Sequence, residues 1–192
     1  MPRKKQFEEH EVIQKAMHTF WLHGYEGTSV RQLETDMGIN QFSIYATFGS
    51  KKGLFLKVLD HYKFQIKSIF LSHLVQSEGA LEDIRHFFNA FIQSVKTGKT
   101  PNGCLMANTA MDMGTTDKEV RRALQLFFTM LKDAFLQLLH KSKERGELSQ
   151  NADVVRYANY LVGCTEGLAV TTKILDESQL QDFVDVAMKS IQ

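Results

Sequence analysis

The sequence predicts an all-α fold. Apolar residues recur at helical spacing along almost the whole chain, whereas the strict alternation typical of a half-buried strand is nearly absent. Only two prolines, at positions 2 and 101, interrupt the 192 residues, so long helices are possible almost throughout. A composition of 43% hydrophobic and 23% charged residues is typical of a globular protein with a buried core.

Glycines and small polar residues mark the first two helices. Gly24 can end the first helix, and Gly38 can end the second. Thr28 or Ser29 can cap the second helix, and Ser29 with Gln32 has the spacing of a capping box. The apolar stripes of these helices are Val12, Ile13, Ala16, Met17 and Phe20 in the first, and Val30, Leu33 and Met37 in the second.

Two more helices complete the N-terminal region. Asn40 can cap a short third helix that runs through Thr47, and Ser50 can cap a long fourth helix. The apolar residues of the fourth helix are Leu54, Phe55, Val58, Leu59 and Tyr62. We therefore expect an N-terminal domain over residues 6–66, containing a three-helix helix-turn-helix unit.

The remainder, residues 67–192, predicts a larger helical domain. Helical spacing predicts helices over residues 81–97, 103–113, 117–145, 153–175 and 180–191. Gly98 and Pro101 end the first of these, and Gly146 follows the third. The sequence contains no internal repeat and no low-complexity segment.

Charge, cysteine content and the N-terminus exclude several classes of protein. A net charge of +1 argues against a non-specific coat on nucleic acid, but it leaves room for a local patch from Arg3–Lys5 or Lys51–Lys57. Two cysteines make no disulfide framework. The charged N-terminus is unlike a secretory signal, and no run reaches the ~18 apolar residues of a membrane span. A cytoplasmic protein with no membrane association is expected.

Enzymatic signatures are missing from the sequence. His10 and Glu11 are followed by Gln14 where a zinc peptidase needs histidine, and only Asp83 with His86 resembles a di-iron pair. The seven histidines show no metal-ligand spacing, and no glycine-rich phosphate loop is present. We expect no enzyme activity, no metal and no cofactor. A helical adaptor that binds only protein is the other alternative.

The stretch TSVRQLETDMGINQFSIYATFGSKKGLF, residues 28–55, carries the functional signal. It resembles, without a gap, the DNA-binding segment of the TetR (tetracycline-repressor) family of bacterial regulators. The matching positions are Thr28, Leu33, Gly38, Ile39, Asn40, Ile44, Tyr45, Phe48, Ser50, Lys51 and Leu54. Two positions depart from the family pattern. Glu34 stands where alanine is usual and Phe42 where a small residue is common, both expected near the packing of the second and third helices.

The resemblance implies a set of DNA contacts. Amides and a hydroxyl at the start of a recognition helix can read base edges in the major groove, and lysine, tyrosine and a helix start can bind phosphates. No lysine or arginine lies in the recognition helix itself, so bidentate reading of guanine from it is not expected. The DNA-binding residues are expected to be Thr28, Ser29, Arg31, Asn40, Gln41, Phe42, Ser43, Tyr45, Thr47 and Lys51. The alternative is that the aromatic residues are core and the lysines form a solvated face.

The resemblance also implies a homodimer that binds a palindromic operator and is released by a small-molecule or chemical effector, most simply as a repressor. The dimer would form through the last two helices, which carry Tyr157, Leu161, Gly163, Cys164, Gly167, Leu168, Thr171, Leu180, Phe183, Val184 and Ala187. The effector would bind among Phe88, Phe91, Cys104, Met106, Asn108, Met111, Phe127, Met130 and Glu166, with Thr109 as a further polar residue. An ordinary intramolecular core is the alternative for both sets.

The triplet Gly103-Cys104-Leu105 resembles the AcrR-like subset of TetR regulators, in some of which such a cysteine senses electrophiles or oxidants. Cys104 falls where a helix start can stabilise a thiolate, and Lys173 is a possible cationic neighbour. The alternative is that Cys104 is a small buried apolar residue.

Overall fold

The computed structural model describes residues 7–68, 80–100 and 102–192, and its regular structure over these ranges is helical. The helices are α1 (Glu9–Gly27), α2 (Val30–Met37), α3 (Gln41–Phe48), α4 (Lys51–Ile66), α5 (Leu81–Lys96), α6 (Leu105–Met113), α7 (Lys118–Glu144), α8 (Val154–Thr171) and α9 (Glu177–Lys189). The all-α prediction is confirmed. The basic cluster Arg3–Lys5 and Pro101 lie outside the described residues.

The chain divides into two compact units. The first contains the described residues up to Phe64 together with Asn108–Leu124, and the second contains the described residues of Gln65–Ala107 and Gln125–Gln192. A single boundary after residue 66 therefore does not describe the division completely, because residues 108–124, which contain the end of α6 and the start of α7, belong with the N-terminal residues. Sequence periodicity cannot reveal that a later segment packs with the N-terminal helices, since periodicity describes each helix separately.

Helix α1 does not end cleanly at Gly24, which differs from the sequence prediction. Gly24 has a φ of 72° inside the span, and a further short turn continues to Gly27. Thr28 follows in extended conformation, and its hydroxyl donates to the carbonyl of Gly24 at 2.7 Å. The positive φ of Gly24 thus kinks the helix, and the hydroxyl of Thr28 binds the carbonyl group at the kink.

Side chains cap the starts of α2 and α3, whereas the start of α1 has no side-chain cap. The hydroxyl of Ser29 accepts from the amide of Gln32 at 3.1 Å, and the side chain of Asn40 accepts from the amide of Ser43 at 2.8 Å. These two caps are confirmed, but the reciprocal half of the expected capping box does not form. The side chain of Gln32 donates to Asp36 instead, at 2.8 Å, and Asp36 also accepts from the hydroxyl of Thr19 in α1.

The core of the first unit is an aromatic cluster with aliphatic neighbours. The rings of Phe20 and Phe55 meet edge to face with centroids 4.9 Å apart, and Tyr25 lies 5.0 Å from Phe55. Leu33, Ile44 and Leu54 are fully buried, so α2, α3 and α4 each contribute a side chain that has no access to solvent. Burying a residue of this size stabilises the fold by about 2 kcal/mol.

The core of the second unit is also aromatic. Phe87 and Phe88 of α5 pack against Phe135 of α7, with ring centroids 5.5 and 6.1 Å away. Arg85 of α5 forms an ion pair with Asp185 of α9, which joins the two helices at their surface. Helix α8 ends at Thr171, four residues earlier than periodicity predicts, and a turn covers the residues up to Leu175.

Candidate nucleic-acid interface

Helix α3 exposes four of its eight residues, and Ser43, Thr47 and Phe48 are half-buried. Ile44 is its one buried residue, and it anchors the helix in the core of the first unit. Gln41 is exposed, Phe42 is 81% exposed and Tyr45 is 40% exposed. A short helix with one fully buried side chain, and with amide and aromatic groups exposed in its first two turns, is suited to lie against a partner.

The first turn of α3 is fixed from two directions. Asn40 binds the amide of Ser43, and the carboxylate of Glu34 in α2 accepts a hydrogen bond from the amide of Gln41. Glu34 is one of the two departures from the family pattern, and it acts as a second cap contributed by the neighbouring helix. The other departure, Phe42, does not pack between α2 and α3 as expected, because its ring is exposed.

Replacing Glu34 by alanine is expected to lower the free energy of unfolding by about 1 kcal/mol, since a helix start loses a capping acceptor. Urea denaturation measures this loss. Glu34→Gln is the matched control, because its amide oxygen can still accept from Gln41, and its stability should stay close to that of the wild type. Equal stability of the wild type and the alanine variant would contradict a capping role.

Two neighbouring lysines begin α4 and have different surroundings. The ammonium of Lys51 lies 4.3 Å from the centroid of the Tyr25 ring, a cation–π contact worth about 0.5–1 kcal/mol at an exposed site. Lys52 instead forms ion pairs with Asp117, 3.4 Å away, and with Glu119. The hydrogen bond to Glu119 raises the pKa of Lys52 above its ordinary value.

The carboxylate of Asp117 has a second role, because it caps α7. It accepts from the amide of Glu119 at 2.9 Å and from that of Val120 at 3.1 Å. The backbone hydrogen bond from Val120 is the largest cause of a pKa below the ordinary aspartate value. Lys52 is therefore engaged by acidic groups at the start of α7, whereas Lys51 is held against an aromatic ring.

The start of α4 favours an anion. The hydroxyl of Ser50 accepts from the amide of Gly53 at 2.9 Å, which confirms Ser50 as the cap of this helix. Backbone N–H groups and the positive end of the helix dipole favour an anion at this end. Lys51, the first residue of the helix, adds a full positive charge.

The remaining expected DNA-binding residues divide into accessible and inaccessible ones. Ser29 and Arg31 of the α2 region are at least partly exposed, as are Ser43 and Thr47. Thr28 is 1% exposed and its hydroxyl is bonded to Gly24, so its side chain is a structural element and not a DNA contact. The pattern match could not distinguish the two roles, because both require a hydroxyl at this position.

The expected effector-binding residues differ in burial and lie in both units. Phe88, Cys104, Met106 and Phe127 are buried, and Phe91, Met130 and Glu166 are partly exposed residues of the same, second unit. Asn108, Thr109 and Met111 belong to the first unit, and Met111 is 67% exposed, so its side chain does not line a cavity between the helices. A groove of about 280 Å³ in the second unit has a different lining, namely Gln125, Phe128, Thr129, Lys132, Asn159 and Val162.

Glu166 of α8 is a largely buried carboxyl group whose Oε1 atom has no hydrogen-bond partner among the described residues. Burial raises the pKa of Glu166 from 4.5 to about 7. Below pH 4.5 the group is protonated in both the folded and the unfolded protein, and its contribution to stability is fully present. As the pH rises toward and beyond 7, ionisation favours the unfolded protein and this contribution is lost.

We expect the wild type to lose about 2 kcal/mol of stability between about pH 5 and pH 8 relative to Glu166→Gln, which cannot ionise. Urea denaturation of both proteins at the two pH values measures the difference, and all other titrating groups cancel in the comparison. Parallel stability curves for the two proteins would show that Glu166 ionises normally in the fold.

Within residues 7–68, 80–100 and 102–192, no three histidine, cysteine, aspartate or glutamate side chains are placed so that they could hold a metal ion. None of the helices in these ranges combines the length and the hydropathy that a membrane span requires.

Two segments of the chain match known families. Residues 12–58 match the family described as "Bacterial regulatory proteins, tetR family", and residues 80–188 match "Tetracyclin repressor-like, C-terminal domain". The chain is 30% identical over 190 residues to the uncharacterised HTH-type transcriptional regulator YezE of Bacillus subtilis, with 98% of each chain covered. It is 28% identical to the HTH-type transcriptional repressor ComR of Escherichia coli, over 96% of this chain and 88% of that protein.

Solved structures agree with this assignment. The TetR family transcriptional regulator CifR, as a cysteine-substituted variant complexed with 26-base-pair operator DNA, is similar with a TM-score of 0.88 and 28% identity. The match covers 99% of this chain and 100% of that one. Helix α3 is exposed and its start is capped twice, the start of α4 favours an anion, and two segments of the chain match the family. The protein is therefore a DNA-binding transcriptional regulator that belongs to the TetR family.

Proposed function

We propose that the protein is a transcriptional repressor that binds a palindromic operator as a homodimer and is released by a small-molecule or chemical effector. The observation that carries the proposal is the first turn of α3, whose exposed side chains project from a backbone fixed by Glu34 and Asn40. Two relatives support the proposal, since ComR is named a transcriptional repressor and CifR forms a complex with operator DNA.

The proposed contacts follow the exposure of the side chains. Gln41, Phe42 and Ser43 face base edges in the major groove. Asn40 contributes the side-chain amide hydrogens, because its oxygen accepts from the amide of Ser43. Phosphates are bound by groups on either side of this turn, namely Ser29, Arg31, Tyr45, Thr47 and Lys51. The phosphate contacts set the position of the protein, and the base contacts set the sequence that it selects.

The proposed dimer uses the outward side of α8 and α9. A Cβ added at Gly163 would have no atom within 4 Å, so a second helix can approach closely there. The exposed apolar residues on α8, on α9 and in the turn between them are Val155, Tyr160, Val170, Ile174 and Val186. Several residues that the sequence predicts for this surface are core instead, because Leu161, Cys164, Leu168, Leu180, Val184 and Ala187 are buried within the second unit.

The effector is proposed to bind in the second unit, near the large apolar residues of α5, α7 and the segment before α6. Cys104 is 3% exposed, which favours a packing role over direct reaction with an electrophile. We also propose that the chain falls in the AcrR-like subset, on the Gly103-Cys104-Leu105 triplet, that it is not an enzyme, and that it acts in the cytoplasm.

Selection of bound duplexes from a random DNA pool tests the proposal. We expect a twofold-symmetric sequence whose half-site centres lie one helical turn, ~34–36 Å, or a multiple of it apart. Sedimentation of the complex should give two protomers for each such site. Recovery of unrelated sequences at ordinary ionic strength, or a single asymmetric half-site with one protomer, would contradict the proposed mode of binding.

A further inference from the structure

Phe42 is an unusual residue for the surface that it occupies. Its ring is 81% exposed, although phenylalanine is among the residue types most often buried. It is the second residue of α3, between Gln41 and Ser43, in the turn that carries the proposed base contacts. A ring this exposed contributes little to the packing of the first unit, so the fold does not account for an aromatic residue at this position.

The direction of the ring follows from helix geometry. In an α-helix the Cα–Cβ bonds tilt toward the N-terminus, so a side chain in the first turn projects toward and beyond the helix start. The backbone of this turn is held by Glu34 through the amide of Gln41 and by Asn40 through the amide of Ser43. In a recognition helix the N-terminal residues contact the base edges in the major groove. The ring of Phe42 lies at this end of α3, where the backbone is held by Glu34 and Asn40.

The chemistry of the ring restricts what it can recognise. A phenyl group makes no conventional hydrogen bond, so it cannot read the donor and acceptor pattern of a base pair. The apolar group that the major groove offers is the C5-methyl of thymine, which phenylalanine can contact. Helix α3 has the sequence QFSIYATF and contains no lysine or arginine, while glutamine at position 41 is suited to adenine.

We propose that Phe42 is a specificity-determining residue that recognises the C5-methyl group of a thymine in each operator half-site. The proposal rests on the proposed function, because it assumes that α3 enters the major groove. It adds the identity of one contacted group and assigns α3 a preference for A·T base pairs at the position opposite Phe42.

Deoxyuridine provides a direct test, since it lacks only the methyl group of thymidine. In the operator recovered by selection, each thymidine is replaced in turn by deoxyuridine, symmetrically in both half-sites, and Kd is measured. At one position we expect wild-type binding to weaken about fourfold per half-site, or roughly 15-fold for both, the effect of one buried methyl group. Phe42→Ala should bind the unmodified operator more weakly and should be indifferent to deoxyuridine at that same position.

The matched control is Phe64→Ala. Phe64 is another exposed phenylalanine, 68% exposed, and it lies about 20 Å from the start of α4 along the helix axis. This variant should keep both the affinity and the sensitivity to deoxyuridine of the wild type. Because Phe42 is exposed, its alanine variant should fold normally, and a circular dichroism melt verifies this.

Several results would overturn the proposal. A selected half-site with no thymine opposite α3, wild-type binding that is indifferent to deoxyuridine everywhere, or equal sensitivity of wild type and Phe42→Ala would each remove the methyl contact. Weaker binding by Phe42→Ala without any deoxyuridine effect would also overturn it, because the ring would then contribute through a contact other than the methyl group. Failure to select any sequence would instead refute the proposed function itself.

Discussion

Replacing Gly103 by alanine is expected to lower the free energy of unfolding by about 3 kcal/mol. Gly103 has a φ of 72°, a conformation that costs other residues roughly 1–2 kcal/mol. An added Cβ would lie 2.6 Å from the carbonyl oxygen of Ala169 and 2.9 Å from Cε of Lys173. Relief of the first contact requires movement of the α8 backbone, and overpacking of this kind costs about 1–3 kcal/mol.

Thermal or urea denaturation of Gly103→Ala measures the effect, and Tm should fall by about 10 °C. Gly98→Ala is the matched control, since Gly98 has a φ of 74° but no atom within 4 Å of an added Cβ. In this variant only the backbone conformation is unfavourable, and the free energy of unfolding should fall by about 1 kcal/mol. If the two variants were equally stable, the close approach of the segment before α6 to α8 would be disproved.

Lys51→Ala is expected to weaken operator binding about 30-fold at roughly 0.15 M salt and to reduce its salt dependence. A single phosphate contact contributes a slope of about −0.9 to the plot of log K against log salt concentration. A dimer loses two such contacts, so the slope should become less steep by about 1.8. Titrations of one operator duplex at several salt concentrations give both quantities.

Lys52→Ala is the control for this experiment. Its ammonium is bound by Asp117 and Glu119 in the free protein, so we expect no phosphate contact to be lost with it. Affinity should change by less than about threefold, and the salt slope should stay at the wild-type value. A loss of slope in Lys52→Ala equal to that in Lys51→Ala would show that the acidic residues release Lys52 to the DNA.

The structure also changes the significance of the two departures from the family pattern. The sequence places Glu34 and Phe42 near the packing of α2 against α3. Instead Glu34 caps α3 and Phe42 projects from it, so both changes affect the surface proposed to meet DNA.

The sequence by itself determined the elements and most of their ends. Helical periodicity depends on local spacing, and a cap such as Asn40 or Ser50 acts within three residues, so both can be recognised without knowledge of the fold. The helix-turn-helix was recognisable for the same reason, because its residues are contiguous. The exposed character of Gln41 and Tyr45 followed from that motif.

Tertiary structure alone decided which residues meet across the chain. The pairing of Lys52 with Asp117, 65 residues away, and the approach of Gly103 to Ala169 depend on how helices pack, which periodicity does not report. The same limit explains Thr28, whose hydroxyl turns inward to Gly24, and Met111, whose side chain turns outward. A sequence pattern specifies the kind of side chain at a position, but burial depends on the neighbours that the fold brings to it.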